Sequence, residues 1–167
     1  YILTTAEASS NLSRYDGIHY GHRSKDATNM EATYRNSRTE AFGDEVKRRI
    51  MLGTFVLSSG YYDAYYSKAQ KVRRLIHDYT RKIFEEFDFI LTPTTPTPAF
   101  DIGDKDYQDP VSMYLADIYT VQANLVGIPG VSLPLFHHSN GMPFGVQLMA
   151  DKFEEGKLLA FAKEVED

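Results

Sequence analysis

The chain has 167 residues, of which 43% are hydrophobic and 25% are charged, a composition typical of a folded globular protein. Its 18 Lys and Arg residues against 23 Asp and Glu give a net charge of −5, which argues against a stand-alone nucleic-acid binder. The absence of cysteine excludes disulfides, thiolate catalysis and cysteine-ligated zinc.

The sequence begins at Tyr1, and the first residues (YILTTAE) have neither the basic nor the long apolar region of a signal peptide. No apolar run is long enough for a membrane span. We interpret the chain as a segment of a longer protein. A missing motif therefore indicates either a different function or chemistry located before Tyr1.

Helical patterns dominate the first half of the chain. Residues 1–14 resemble the end of a helix, and the turn-rich residues 15–29 predict an irregular loop. The capping-box pattern of residues 37–40 and the apolar spacing after it predict one helix over residues 39–58. After Ser59 and Gly60, a second and longer apolar stripe predicts a helix up to Phe87. Its members are Tyr65, Ala69, Val72, Ile76, Tyr79, Ile83 and Phe87.

The second half alternates between strands and helices. A buried strand over residues 87–91 is expected to run into a Thr- and Pro-rich loop. Asp109 as N-cap and Pro110 as first residue predict a helix that ends at the Gly127 breaker. Further elements are paired strands over residues 131–135 and 144–149 around the turn 138–141, and a helix over residues 155–165.

This order of elements indicates an α/β fold in which long helices pack on part of a mixed β-sheet. Two long helices and about three strands are too few to cover both faces of a sheet. We therefore expect the missing strands to precede Tyr1, and residues 1–167 to form a single part of one larger domain.

No nucleophile and no metal site is predicted. The serine pairs Ser9-Ser10 and Ser58-Ser59 lack the glycine-rich turn that supplies oxyanion donors, and capping explains the second pair better. The histidine pairs His19/His22 and His137/His138 lack carboxylates at the spacing of a metal site.

Two charged residues lie among apolar neighbours in the predicted helices. Arg49 is next to Ile50 of the apolar stripe and four residues from Gly53, which would leave room for a ligand beside the helix. Asp117 is expected on a half-apolar face, where an unpaired carboxylate is costly. Asp117 can form an internal ion pair, with Arg49 or Arg14. Alternatively, Arg49 and Asp117 hold the carboxylate and ammonium groups of an amino-acid ligand.

Several segments together resemble the A subunits of the aspartyl/glutamyl-tRNA amidotransferases, which are amidase-signature proteins. They are EASSNLSRYDG (7–17), EVKRRI (45–50), LSSGYYDAYY (57–66), QKVR (70–73), LTPT (91–94), DP (109–110), MYLAD (113–117), NLVGIPG (124–130) and PFGVQ (143–147). The likeness covers nearly the whole chain. The extra length of residues 99–108 resembles a small loop variation within the family.

The resemblance implies the C-terminal part of a cytoplasmic glutaminase. The family's catalytic lysine and two serines match nothing here, so they are expected before Tyr1 and the segment alone is expected to be inactive. The family releases ammonia from glutamine through a glutamyl-enzyme intermediate. The B subunit, using ATP and Mg²⁺, then amidates Glu-tRNA(Gln), Asp-tRNA(Asn) or both. The implied partners are the B and C subunits, with no cofactor or metal in this segment.

The resemblance also suggests roles for individual residues. Arg49 is similar to the residue that meets the α-carboxylate of glutamine, and Asp117 to the one that meets its α-ammonium group. A family tyrosine lining this pocket is expected just before Tyr1, which makes Tyr1 a secondary candidate. Tyr61 and Tyr62 are candidates for the pocket or for an interface.

Two other hypotheses remain open at this point. The chain can belong to another amidase-signature enzyme that hydrolyses a small amide. Alternatively, it can be a non-catalytic module whose helices dock a partner through Tyr61, Tyr62, Tyr65 and Tyr66. Tyrosines at helical spacing are more often core residues than interface residues.

Overall fold

The computed structural model describes residues 1–103 and 110–166. It divides into two compact units, Tyr1–Val72 and Arg73–Asp167. Within the two described ranges, no helix is long and apolar enough to cross a membrane.

Helices build the first unit. They are α1 (Ile2–Leu12), α2 (Met30–Ala41), α3 (Asp44–Val56), a π-helical segment (Tyr62–Ser67) and the start of α4 (Lys68–Phe84). The π-helical segment runs directly into α4. At the junction, the N–H of Lys68 bonds to the carbonyl of Tyr65.

The second unit combines helices with a three-stranded sheet. Beyond α4, its elements are β1 (Phe89–Pro93), α5 (Pro110–Ala116), α6 (Thr120–Val126), β2 (Gly130–His137), β3 (Pro143–Ala150) and α7 (Glu155–Glu166). The strand order is β1–β3–β2, and both pairings are antiparallel. The predicted α/β class and the predicted pairing of the last two strands are confirmed.

The prediction of one helix over residues 39–58 is wrong. Helix α2 ends at Ala41, the backbone of Phe42 is extended (φ −87°, ψ 123°), and Gly43 is the N-cap of α3. The apolar spacing continues through this break, so spacing alone does not reveal where α2 ends.

Ser37 and Glu40 of the predicted capping box bind the preceding loop and do not cap a helix. Ser37 is buried within α2, and its hydroxyl oxygen accepts a hydrogen bond from the backbone N–H of Ser24 at 3.0 Å. Glu40 accepts a hydrogen bond from the Ser24 hydroxyl at 2.6 Å. Both therefore hold the loop that precedes α2. The N-cap of α2 is Asn29, whose Oδ1 accepts from the N–H of Ala32 at 2.8 Å.

The loop before α2 is irregular, as predicted, and it is organised by a buried carboxylate. Asp16 Oδ1 accepts hydrogen bonds from the N–H groups of Ile18 and His19, each at 2.8 Å, and Oδ2 lies 2.8 Å from His19 Nδ1. Gly17 has a φ of 77°, and a Cβ there would lie 2.3 Å from the hydroxyl oxygen of Ser37. Only glycine fits this turn without displacing its neighbours.

Helices α1 and α3 approach each other closely at Gly53. A Cβ on Gly53 would lie 2.0 Å from the carbonyl oxygen of Thr5 and 2.7 Å from the Cβ of Ser9. Beside this contact, the hydroxyls of Ser9 and Thr54 lie 3.0 Å apart. The missing side chain of Gly53 therefore allows the two helix backbones to meet.

Strand β3 is the centre of the second unit. Leu148 and Ala150 face one side and join a cluster with Leu158 and Ala162 of α7. Met149 faces the other side, where its cluster includes Val126 and Ile128, with Ile76, Phe84 and Ile90 packed against it. Helical residues thus pack on both sides of β3, while Leu91 of β1 and Phe136 of β2 are 64% and 52% exposed.

Helix α4 forms where the apolar stripe predicts a helix, although only part of that stripe packs against the core. Ile76 and Phe84 pack against the core, and Thr80 between them is 2% exposed. Of the predicted stripe, Tyr79 is 67% exposed, and Val72, Ile83 and Phe87 are exposed as well. Ile76 thus belongs both to the stripe that predicts the helix and to the face of α4 that packs against the core.

The single helix expected from Pro110 to Gly127 is also wrong. A turn separates α5 from α6, and the N–H of Asp117 bonds to the carbonyl of Tyr114, three residues back, at 3.3 Å. Pro110 lies in α5, and the predicted stop at Gly127 (φ 76°) is confirmed. The predicted N-cap, Asp109, lies outside the described residues.

Replacing Gly53 by alanine is expected to destabilise the chain strongly. The added methyl group would overlap the backbone of Thr5, so the free energy of unfolding should fall by about 2–4 kcal/mol, as in overpacked cores. Urea unfolding measures the change. The matched control is Gly156→Ala in α7, where nothing lies within 4 Å of the added Cβ. Equal midpoints for the two variants would contradict the close approach.

Replacing Asp16 by asparagine is expected to flatten the acid dependence of stability. The hydrogen bond from the His19 ring, followed by those from the His19 and Ile18 N–H groups, holds the pKa of the Asp16 carboxyl well below its usual range. A group with a lowered folded-state pKa stabilises the fold above its unfolded pKa, and this contribution is lost as pH falls.

The unsubstituted chain should therefore lose thermal stability more steeply than the variant below about pH 4. Melting temperatures measured at a series of pH values test this. Asp26→Asn, an exposed position in the same loop, serves as the control. An Asp16→Asn variant that follows the original acid profile would show that the carboxylate does not organise the loop.

Candidate functional site

Arg49 lies on α3 and has a carboxylate partner on its own helix. Its Nε donates a hydrogen bond to Glu45 Oε1 at 2.9 Å, one helical turn earlier. The Arg49 side chain is 38% exposed, so it is neither fully buried nor freely solvated. Its guanidinium carbon lies 5.8 Å from the ring centroid of Tyr1, within the range of a cation–π contact.

Glu45 also binds the neighbouring arginine. Its Oε2 accepts from Arg48 Nη1 at 2.7 Å, so one carboxylate serves two guanidinium groups. The hydrogen bond from Arg49 and the positive charges of Arg48 and Arg49 lower the pKa of Glu45. At neutral pH the three side chains have a net charge of +1, which suits an anionic group.

The space beside Arg49 differs from the sequence expectation. The sequence predicts room for a ligand beside α3 at Gly53, but helix α1 fills that space through Thr5 and Ser9. The consequence is that Tyr1, at the N-terminal end of α1, lies against Arg49. Tyr1 as a whole residue is 45% exposed. Arg49 and Tyr1, both predicted site residues, are therefore brought together within the first unit.

Asp117 lies in the turn between α5 and α6 and is exposed. Its backbone carbonyl accepts hydrogen bonds from the N–H of Val121 at 3.0 Å and from the hydroxyl of Thr120 at 3.1 Å. The expectation of a half-apolar helix face is wrong, because the turn removes Asp117 from the face of either helix. Its neighbour Met113 is 44% exposed as well, so the Asp117 carboxylate remains in contact with solvent. A solvated carboxylate does not need a cationic partner to offset the cost of burial.

Gln147 is a buried polar residue that is absent from the predicted site candidates. Its side-chain nitrogen donates to the carbonyl of Tyr119 at 3.1 Å and to the hydroxyl of Thr92 at 3.3 Å. The first bond ties β3 to the turn that contains Asp117. A glutamine in an otherwise apolar strand is the available sequence signal, since such a side chain needs partners when buried.

Tyr61 and Tyr62 lie at the start of the π-helical segment and are 44% and 42% exposed. The Tyr61 ring lies 4.1 Å from that of Phe55, and the Tyr62 ring lies 5.1 Å from that of Tyr66 (centroid distances). Each tyrosine thus uses one face internally and leaves a substantial part of its surface accessible. This position is intermediate between a core residue and an open interface residue.

The first unit also contains a cavity of about 500 Å³ between α1, α2 and α3. Its cationic lining residues are Arg38 and Lys47. Arg38 is already anchored, because its Nη2 donates to the carbonyl of Ser13 at 2.6 Å. Lys47 Nζ lies 3.8 Å from Asp44. Arg49 is not among the residues that line this cavity.

Ser58, His19 and His22 have local partners. Ser58 donates its hydroxyl hydrogen to the carbonyl of Phe55 at 2.7 Å, as expected for a residue at a helix end. His19 pairs with Asp16, and His22 Nε2 lies 2.6 Å from Glu40. Among the described residues, no three His, Asp or Glu side chains lie together in a way that could hold a metal ion.

Comparison with known sequences identifies close relatives. A sequence model of the family described as Amidase matches residues 1–159. The A subunit of glutamyl-tRNA(Gln) amidotransferase from Chlorobaculum parvum is 57% identical over 166 residues, which are 99% of this chain and 34% of the relative. The same protein of Koribacter versatilis is 56% identical over 166 residues, with the same shares of 99% and 34%. The chain thus spans about a third of the length of these curated relatives.

Solved structures also resemble this chain over nearly its whole length. The crystal structure of the A subunit of glutamyl-tRNA(Gln) amidotransferase from Thermotoga maritima has a TM-score of 0.61 and 36% identity, over 99% of this chain and 38% of that chain. The structure of 6-aminohexanoate cyclic dimer hydrolase has a TM-score of 0.65 and 17% identity, over 99% and 33% of the two chains. At that identity, the second likeness shows the fold alone.

Proposed function

This chain belongs to the amidase family, and we propose that it is the glutamine-binding, C-terminal part of the glutaminase subunit of a tRNA-dependent amidotransferase. In this proposal the complete glutaminase hydrolyses glutamine. The ammonia released converts Glu-tRNA(Gln) to Gln-tRNA(Gln), Asp-tRNA(Asn) to Asn-tRNA(Asn), or both.

The observation that supports this proposal most is the environment of Arg49. A guanidinium group that is partly exposed, held at Nε by Glu45 and placed near the ring of Tyr1, is suited to bind a carboxylate. We assign it the α-carboxylate of glutamine. Asp117, which is exposed in its turn, is assigned the α-ammonium group.

The nucleophile of the reaction is assigned to the remainder of the glutaminase. Neither serine pair of this segment is assigned a catalytic role, because Ser58 bonds to a helix-end carbonyl and Ser9 lies against Thr54. The B and C subunits of the amidotransferase are the proposed partners, in the cytoplasm. ATP and Mg²⁺ are assigned to the B subunit, and no cofactor is assigned to this chain.

Another amidase-family hydrolase is the main alternative within the same class. It would use the same fold for a small amide without an amino-acid moiety. Identity of 57% to the A subunit of a glutamyl-tRNA(Gln) amidotransferase favours the glutaminase proposal. A complete protein that releases ammonia from simple amides but not from glutamine would favour the alternative.

Alanine at Arg49 or at Asp117 is expected to raise the KM for glutamine in the complete enzyme. Each change removes one charge-assisted contact worth about 1.5–3 kcal/mol, which corresponds to roughly 10- to 150-fold in KM. Steady-state glutaminase assays measure the effect, and circular dichroism checks that the variants fold.

Lys47→Ala is the matched control for the Arg49 variant. Lys47 is a cation on the same helix, its side chain is 39% exposed against 38% for Arg49, and it pairs with Asp44 rather than with Glu45. Its loss should leave the KM for glutamine unchanged. A KM that also stays unchanged in the Arg49 and Asp117 variants would refute the site assignment.

The exposed tyrosines favour a second role, docking of a partner. Tyr61, Tyr62 and Tyr65 are each 42–44% exposed on one short segment, and tyrosine is enriched at protein interfaces. This role is compatible with glutamine binding, because Arg49 lies on a different helix.

Replacing Tyr62 by alanine is expected to weaken the binding of the B and C subunits by roughly 5- to 30-fold, the effect of losing a buried aromatic contact. Pull-down with the purified partners measures it. The control is Tyr20→Ala, which removes a 60% exposed tyrosine from the loop before α2. Equal recovery of the partners by both variants would contradict the docking role.

A further inference from the structure

Glu45 holds the one arginine that the proposed function assigns to the substrate carboxylate. We propose that Glu45 is a positioning residue, which orients the guanidinium of Arg49 for the carboxylate of an amino-acid substrate. This inference rests on the proposed function. The inference adds Glu45 to the proposed site as a residue that does not touch the substrate and acts only through Arg49.

The geometry of the arginine supports this role. A guanidinium group is planar, and its donors point in fixed directions, so a carboxylate pairs with it well in only a few orientations. The 2.9 Å bond from Nε to Glu45 Oε1 fixes the direction of the group within its plane. The ring of Tyr1, 5.8 Å from the guanidinium carbon, supports one side of it.

Orientation matters because the Arg49 side chain is 38% exposed. A long side chain at such a position has many rotamers, and binding would have to order it. With Glu45 in place, part of this ordering occurs when the chain folds. Substrate binding then does not have to supply that entropy.

Arg48 provides an internal comparison. It binds the same carboxylate at 2.7 Å, but through Nη1, and its side chain is 66% exposed. Because Glu45 pairs with two arginines, the group keeps a net positive charge and remains attractive to an anion.

The position of Glu45 on α3 is accessible, so substitutions there are expected to leave the fold intact.

The test uses the complete amidotransferase complex and measures kcat and KM for glutamine. Glu45→Ala should raise KM by about tenfold and change kcat by less than about twofold, because substrate binding is misoriented while the chemistry is not touched. Glu45→Gln should restore KM to within about twofold of the original value, because its amide oxygen still accepts from Nε.

A purely electrostatic role predicts the opposite sign. If Glu45 acted only by its negative charge, both Glu45→Ala and Glu45→Gln would lower KM, since the substrate carboxylate would meet a more positive site. Glu45→Asp keeps the charge but shortens the side chain, and it should raise KM. A folded Glu45→Asp variant with unchanged KM would overturn the positioning role, even if the alanine variant were unstable.

Asp44→Ala is the control and should leave KM unchanged. Asp44 is the neighbouring carboxylate in the first turn of α3, its side chain is 98% exposed, and it pairs with Lys47 rather than with an arginine. Equal KM values for Glu45→Ala and Asp44→Ala, together with a strong rise for Arg49→Ala, would overturn the role of Glu45 and leave the proposed function in place. An unchanged KM for Arg49→Ala would instead overturn the proposed function. The two failures are therefore distinguishable.

Discussion

The candidate arginine site depends on the close approach of α1 and α3 at Gly53. Because Gly53 has no side chain, the backbone of α1 reaches α3 at Thr5, and the first residue of the chain comes to lie beside Arg49. A larger residue would separate the two helices and remove Tyr1 from the arginine. A packing constraint inside the first unit thus determines the surroundings of a charged group on its surface.

The elements of the fold that can be predicted are those with local signals. Short runs of neighbouring residues predict the strand β3 and the helix stop at Gly127, and both predictions are confirmed. The apolar period continues across the break at Phe42, and the signal for the break is instead Gly43 followed by the acidic first turn of α3. Of the apolar stripe on α4, Ile76 packs against the core and Tyr79 is exposed, because the buried face depends on Met149, a partner far away in the sequence.

The candidate site can be predicted from the sequence only in part. Arg49 stands out as a cation beside an apolar stripe, and its partner Glu45 is readable from the four-residue spacing on one helix. The contact with Tyr1 is not readable, because it depends on how two helices cross. The sequence pattern predicts burial of Asp117, and the turn between α5 and α6 exposes the residue instead. Hydrogen bonding of Gln147 to that turn depends on which strand lies beneath it.

The shared carboxylate of Glu45 has a consequence for substitutions in α3. Positions 45, 48 and 49 are coupled through one side chain, so the effect of a substitution at any of them depends on the residues present at the other two. Their contacts also depend on helical spacing. One inserted residue would rotate every following side chain by about 100° around the axis of α3. An insertion or deletion within this helix would therefore separate Glu45 from its two arginines, whereas a change of length in a loop would leave their spacing intact.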